Sequence, residues 1–215
     1  MCRREAAQIH PASLQRRLCA LTHGSCRPQE IGELLGSRIG QSVHRPQRRR
    51  WASQPRDHRR LLAPALAAVT ALRARDESGP EIALQVLVYP VTDCDLDTAS
   101  YRRCATGCGM SARDMEWYWH HYMGHRDRSD PDASPLRAAS LAGVAPAHVV
   151  VCENDVLHDE GVAYAERLKA DGVPVTLRDV EGMIHGYIRM AAHFDRSREL
   201  WDDCAAALRE AFGAD

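Results

Sequence analysis

The chain has 215 residues, of which 45% are hydrophobic and 27% are charged. These values are ordinary for a soluble globular protein and suffice for one domain with a sizeable core. The net charge is −1, no apolar run reaches the roughly 18 residues of a membrane-spanning helix, and the N-terminus lacks the apolar core of a secretory signal. We therefore expect a cytoplasmic protein with no membrane partner.

Residues 1–60 differ from the rest because they are strongly basic. They hold thirteen arginines against four acidic residues, a surplus of nine positive charges, so the remainder carries a net charge of −10. Residues 44–60 are almost wholly charged, polar or proline, which favours disorder. The arginines at 48–50 beside Trp51 would also suit a nucleic-acid-binding arm. A disordered basic tail is the simpler interpretation, and we expect no nucleic-acid partner.

From residue 61 onward, helical and strand patterns alternate. This alternation predicts an α/β fold, with a mostly parallel sheet flanked by helices, over residues 61–215. Residues 93–111 have the character of a loop. The patterns predict helices at residues 61–75, 112–124, 159–171 and 196–212, and buried strands at residues 82–89, 148–152 and 173–177.

Eight cysteines occur without any C-x-x-C pair and without a signal sequence, so we expect reduced thiols rather than disulfides. Cys104 and Cys108, with the histidines at 120, 121 and 125, offer ligands for a zinc site. Their spacing is looser than in ordinary zinc sites, and surface histidines beside a loop are the simpler interpretation. We expect no metal and no cofactor.

Polar residues follow two of the predicted strands at the points where those strands end. Asp155 comes after HVVVC, and His185 comes after VPVTL and a short further segment. In open α/β sheets, functional groups collect beyond the carboxyl ends of the strands, so these two side chains can meet there. A carboxylate that accepts from one imidazole nitrogen fixes the tautomer and stabilises the imidazolium that forms in catalysis.

The segment DVLHDEGVAYAERLKADGVPV and the later IHGY element resemble the C-terminal half of hormone-sensitive-lipase-like carboxylesterases of the α/β-hydrolase superfamily. YPVTD, the Ser-Pro-Leu of DASPLRA and the helix ending AAVTALRARD resemble the same family. The resemblance spans about residues 65–212. It implies hydrolysis of carboxylic esters, esterase- or lipase-like, through a serine acyl-enzyme. In that mechanism Asp155 matches the triad acid and His185 the triad base.

The nucleophile of that family has no counterpart in this chain. The G-x-S-x-G elbow should lead directly into the helix at residues 61–75, yet the position falls near His58 or Arg59, and no G-x-S-x-G occurs anywhere. An HGGG-type oxyanion segment is absent as well. Residues 1–60 are therefore interpreted as a disordered or aberrant segment. A shifted reading frame or an altered gene start upstream of about residue 60 would explain so abrupt a break.

The sequence thus predicts an ester hydrolase by resemblance, impaired or inactive for want of the serine, with a small-molecule ester as substrate. The alternative is a non-catalytic remnant that binds a ligand or partner. Missing sheet neighbours would leave an exposed edge through which the chain could self-associate. The aromatic residues at 117–119 and 122, together with Tyr187, either pack in the core or line an acyl pocket.

Overall fold

The computed structural model of the protein describes residues 18–21 and 63–213. Five α-helices and four β-strands alternate along these residues, with a 3₁₀ turn at Pro135–Arg137 and another at Tyr187–Met190. In chain order the elements are β1 (Leu18–Leu21), α1 (Ala63–Asp76), β2 (Ile82–Val88), α2 (Ala99–Arg103), α3 (Ala112–Met123), β3 (Ala147–Asn154), α4 (His158–Ala170), β4 (Val175–Ile184) and α5 (Asp195–Phe212).

The described strands form one sheet in the order β1-β2-β3-β4, and every neighbouring pair is parallel. The α/β fold with a parallel sheet, expected from the alternation of elements, is therefore confirmed. Parallel strands all end at the same edge of a sheet, so the residues after β3 and β4 are brought close together. Among the helices in the described part of the chain, none is long and apolar enough to cross a membrane.

The sheet is covered by helices on both faces, which explains why the centres of β2 and β3 are almost entirely apolar, with Gln85 and His148 as buried exceptions. Leu87 and Val149 point to the face packed by α1 and α4. Val86 and Val150 point to the opposite face, where Leu200 and other residues of α5 pack. A third apolar cluster lies beneath α2 and α3 and contains the fully buried Trp119.

Local sequence signals account for where the helices begin and how closely they pack. Ser111 caps α3, because its hydroxyl accepts from the Asp114 N–H at 3.1 Å while the Asp114 carboxylate accepts from the Ser111 N–H at 2.9 Å. Gly161 permits α4 to approach β3. A β-carbon added there would lie 2.6 Å from Cγ1 of Val151, so only glycine fits.

Three details differ from the sequence-based expectations. The loop at residues 93–111 contains the short helix α2, capped by the Thr98 side chain. The third predicted strand, residues 173–177, is too short, since β4 continues to Ile184. Residues 18–21 form β1 within the basic segment, and the remainder of residues 1–60 lies outside the described residues. The division into residues 1–60 and 61–215 therefore stays a prediction.

Candidate active site

Asp155 lies directly after β3 and is held rigidly. Its carboxylate is 1% exposed, and one oxygen, Oδ1, accepts from the backbone N–H of Leu157 at 3.1 Å. This hydrogen bond closes the turn that leads into α4, which begins at His158. The second carboxylate oxygen, Oδ2, is thereby left to face the end of the neighbouring strand.

His185 lies directly after β4 and meets that carboxylate. Its ring nitrogen Nδ1 is 2.7 Å from Oδ2 of Asp155. Gly186, in the left-handed conformation (φ 79°), follows and turns the chain into the 3₁₀ turn at Tyr187–Met190. The His185 side chain is 19% exposed, so the pair is buried on the aspartate side and reachable on the imidazole side.

The imidazole packs against the ring of Tyr89, the residue after β2, and that ring packs in turn against Tyr187. The Tyr89 ring lies 5.0 Å from the His185 ring, and Tyr187 lies 5.7 Å from Tyr89, all between centroids. The Tyr89 hydroxyl accepts from the N–H of Ile188 at 3.3 Å. Tyr89 adopts a positive φ of 54°, a strained value for a residue with a side chain, and such strain is concentrated at functional sites.

A buried carboxyl group braces the loop that follows β2. Glu160 of α4 is 2% exposed and accepts from the N–H of Thr92 at 2.8 Å, while the Thr92 hydroxyl donates to the Glu160 carbonyl at 2.8 Å. Burial raises the pKa of Glu160 well above its usual value, although the N–H groups of Thr92 and Asp93 oppose that shift. Glu160 thus ties α4, which follows Asp155, to the segment that carries Tyr89.

A second histidine, His158 at the start of α4, stands between two carboxylates. Nδ1 of His158 lies 2.9 Å from Asp159, and Nε2 lies 3.0 Å from Asp179 of β4. Burial lowers the pKa of His158, but the hydrogen bonds to these carboxylates outweigh burial and raise it. Both ring nitrogens of His158 are occupied by carboxylates, so this histidine has no nitrogen left for proton transfer, in contrast to His185.

With this geometry in place, the comparisons with known proteins are informative. A family model of the alpha/beta hydrolase fold matches residues 65–189, more than half of the chain. The chain belongs to the α/β-hydrolase family. The predicted resemblance to α/β-hydrolase carboxylesterases is therefore confirmed, and it covers part of the chain.

Several relatives of this α/β-hydrolase are named for ester hydrolysis. The chain is 37% identical to the ethyl acetate hydrolase of Pseudomonas putida over 65% of its own length and 42% of the relative's. It is 40% identical to the carboxylic ester hydrolase LipN of Mycobacterium tuberculosis, over 58% and 35%. An ester hydrolase from the metagenome of Lake Arreo, solved with a bipyridine phosphonate derivative, superposes with a TM-score of 0.67 at 35% identity, over 70% and 48%. The chain thus spans less than half the length of these relatives.

No described serine, threonine or cysteine side chain is hydrogen-bonded to His185, whose partner in residues 63–213 is Asp155. The position aligned with the nucleophile, near His58, lies outside the described residues. Cys152 lies in β3 and is fully buried, so an ester substrate cannot reach its thiol, and burial also raises its pKa.

Burial and spacing bear on the remaining site hypotheses. Within residues 63–213, no three His, Cys, Asp or Glu side chains could hold a metal, so Cys104 and Cys108 do not join the histidines of α3 in a metal cluster. Trp119 packs in the core, whereas Trp117 is 49% exposed. A cavity of about 280 Å³ between β4 and α5, lined by Arg178, Tyr187 and neighbours, contains neither Asp155 nor His185.

Sequence reasoning identified Asp155 and His185 but missed the residues that position them. The sequence pattern places Tyr89 in a buried strand. Nothing in YPVTD predicts its left-handed backbone conformation or the packing of its ring against His185. Glu160 has no place in the triad that the family resemblance implies. The one available signal was an acidic residue at an apolar helix position, since Glu160 lies on the face shared with the buried Tyr164.

Proposed function

We propose that this chain acts on carboxylic esters, with His185 as the acid/base group and Asp155 as the residue that orients it. The observation that carries the proposal is the 2.7 Å contact between His185 Nδ1 and the buried Asp155 carboxylate at the carboxyl edge of adjacent parallel strands. Its support is the similarity of the surrounding chain to named ester hydrolases.

The geometry defines what the imidazole can do. When Nδ1–H donates to Asp155, Nε2 carries a lone pair and can take a proton from a hydroxyl group or from water. The carboxylate then stabilises the imidazolium until the proton passes to the leaving alcohol. Small or medium acyl chains are the substrates that the family resemblance suggests.

The activity of the chain by itself is expected to be weak. Its sequence has no G-x-S-x-G, and a missing nucleophile removes the acyl-enzyme route. His185 can still act as a general base toward water, a contribution of about 10²–10⁴-fold in complete sites and less where no oxyanion hole assists. Slow hydrolysis that depends on His185 is therefore the expected behaviour.

The test is hydrolysis of p-nitrophenyl acetate and butyrate by the full chain and two variants. His185→Ala should bring the rate to background, because it removes the general base. His193→Ala is the matched control, since His193 is exposed and would report only the nonspecific catalysis that any surface imidazole provides. Loss of rate in the control but not in His185→Ala would contradict the proposal.

A second candidate is a non-catalytic hydrolase-like remnant that binds a ligand or partner. The observation in its favour is the absence of the serine elbow from the whole sequence. Equal, near-background rates for the chain and His185→Ala would select this candidate. Self-association through a sheet edge is one form that such partner binding could take, and sedimentation over a range of protein concentrations would detect it.

A further inference from the structure

The loop between α2 and α3 carries two cysteines at a spacing of four residues. Cys104 ends α2, where its backbone N–H donates to the carbonyl of Ser100 at 2.8 Å. Its side chain is fully buried in the apolar cluster beneath α2 and α3, and the half-buried Cys108 packs against the same cluster. Two thiols therefore share one apolar environment, one of them protected and the other open to solvent.

The backbone of the loop returns Cys108 toward Cys104. Gly107 and Gly109, on either side of Cys108, both have positive φ values, 85° and 88°. Two such residues reverse the chain sharply, and a β-carbon at either would be strained. Both side chains contact one apolar cluster across a turn of three residues, which brings them together. Burial and the neighbouring Cys108 thiol also raise the pKa of Cys104 to about 11.

The same loop touches the turn that carries His185. A β-carbon built on Gly109 would lie 3.5 Å from Cδ1 of Ile184 and 3.8 Å from the carbonyl oxygen of His185. At the other end of the loop, Arg103 donates to the carbonyl of Glu153 at 2.9 Å. The loop is thus anchored to the ends of both strands that supply the Asp155–His185 pair.

We propose that Cys104 and Cys108 are a dithiol modification site that closes reversibly to a disulfide and tightens this loop against the His185 turn. The oxidant class is a peroxide. The more exposed Cys108 attacks it and becomes a sulfenic acid with loss of one water, and the Cys104 thiol then displaces a second water to form the S–S bond. Two thiols are oxidised and one peroxide is reduced to two waters. A thiol reductant reverses the step by exchange.

Cys94 is the competing partner, because it too is half-buried against the same cluster. It lies in the loop after β2, where its N–H is held by the Asp93 carboxylate at 2.8 Å. Cys104 and Cys108 are instead joined by a short turn, so that the cost in chain entropy of bringing them together is small. We therefore expect oxidation to select the pair within the α2–α3 loop.

Peptide mapping tests the proposal on the full chain. The chain is exposed to hydrogen peroxide under native conditions, unfolded, alkylated and cut with trypsin. Cleavage after Arg103 and Arg113 places both cysteines in one peptide, residues 104–113, while Cys94 falls in the peptide of residues 76–102. The expected product is an unalkylated peptide lighter by two hydrogen atoms, which dithiothreitol converts back to the doubly alkylated form.

Two variants and one further readout make the outcome decisive. Cys94→Ser should leave the product unchanged, and Cys108→Ser should abolish it. On oxidation, hydrogen exchange of backbone amides should slow at residues 184–188 as well as in the loop. A cross-link between the two peptides, or doubly alkylated peptide 104–113 after oxidation, would overturn the proposal. Neither readout uses ester hydrolysis, so this proposal is tested independently of the proposed function.

Discussion

His185 and Asp155 are 30 residues apart in the sequence, yet their side chains lie 2.7 Å apart because β3 and β4 are adjacent parallel strands. The aspartate is buried, and its carboxylate accepts one other hydrogen bond, from the N–H of Leu157. Their contact therefore belongs to the folded structure itself, whether or not an ester is hydrolysed. It can be measured through stability.

The first prediction concerns this pair. We expect His185→Ala to lower the free energy of unfolding by about 1–3 kcal/mol, since it leaves a buried carboxylate oxygen without its partner. Asp155→Asn should cost a similar amount. In the double variant the costs should not add, and urea unfolding should give a coupling energy of roughly 1 kcal/mol. Additive costs would show that the two side chains do not interact, and His193→Ala serves as the control for loss of a histidine.

Glu160 gives the second prediction. Because burial raises its pKa, the folded state binds a proton that the unfolded state releases once the pH passes the ordinary carboxyl range. Stability must then fall as the pH rises from that range toward the raised pKa. Glu160→Gln keeps an oxygen for the Thr92 N–H without titrating, so it should remove this pH dependence. Glu160→Ala should instead cost about 2–4 kcal/mol, because it strands the N–H and leaves a cavity.

The measurement is urea unfolding of the three proteins across the acidic and neutral range. The diagnostic quantity is the difference in unfolding free energy between the chain and Glu160→Gln. A difference that stays constant with pH would mean that Glu160 is ionised in the folded state, with the Thr92 and Asp93 N–H groups overcoming burial. Equal stability of Glu160→Ala and the chain would contradict the bracing role of this residue.

The elements predicted well from sequence are those whose burial leaves a continuous apolar trace. The strands around Leu87 and Val150 are buried on both faces, so their central residues are apolar apart from the buried Gln85 and His148. β4 lacks such a trace, since it is the last strand in the described sheet and its residues are all exposed or half-buried. The sequence pattern therefore ends this strand at residue 177, whereas β4 continues to Ile184 and His185 follows it directly.

The site was predicted only as far as single residues carry a signal. Asp155 and His185 follow strands and match family motifs, and both are visible in the sequence. The packing of Tyr89 against His185 depends on a backbone conformation fixed by contacts from β3 and the His185 turn, which no local pattern encodes. The Cys104–Cys108 relationship likewise depends on the path of a loop between two glycines.

His158 carries the third prediction. Hydrogen bonds to Asp159 and Asp179 raise the pKa of His158 in the folded state, against the effect of burial. The positive charge of Arg103 also acts on Asp159. Because the folded pKa is raised, the stabilisation is complete below the unfolded pKa of histidine and is lost as the pH rises through the folded value. Asp179 is half exposed, so the effect should be a fraction of a kcal/mol. His158→Gln should flatten the decline in stability between about pH 6 and pH 8. If stability declines with the same slope in this variant, the decline arises from another titrating group.

The fourth prediction concerns the approach of α4 to β3. A β-carbon at Gly161 would lie 2.6 Å from Cγ1 of Val151, a branched side chain that is 1% exposed and cannot move aside cheaply. Gly161→Ala should therefore destabilise the fold by about 1–3 kcal/mol, although alanine is the better helix former. Thermal or urea unfolding of the variant measures the cost.

A compensating variant separates this clash from any other effect of the substitution. Val151→Ala by itself creates a cavity and is expected to cost about 1–3 kcal/mol. In the double variant, the alanine methyl group at 161 enters the space that the valine methyls have left, so the combined cost should be clearly less than the sum. If the two costs add, α4 does not owe its position to the missing side chain of Gly161. α4 also carries Glu160 and follows Asp155. A shift of this helix in Gly161→Ala should therefore weaken the contact between Asp155 and His185.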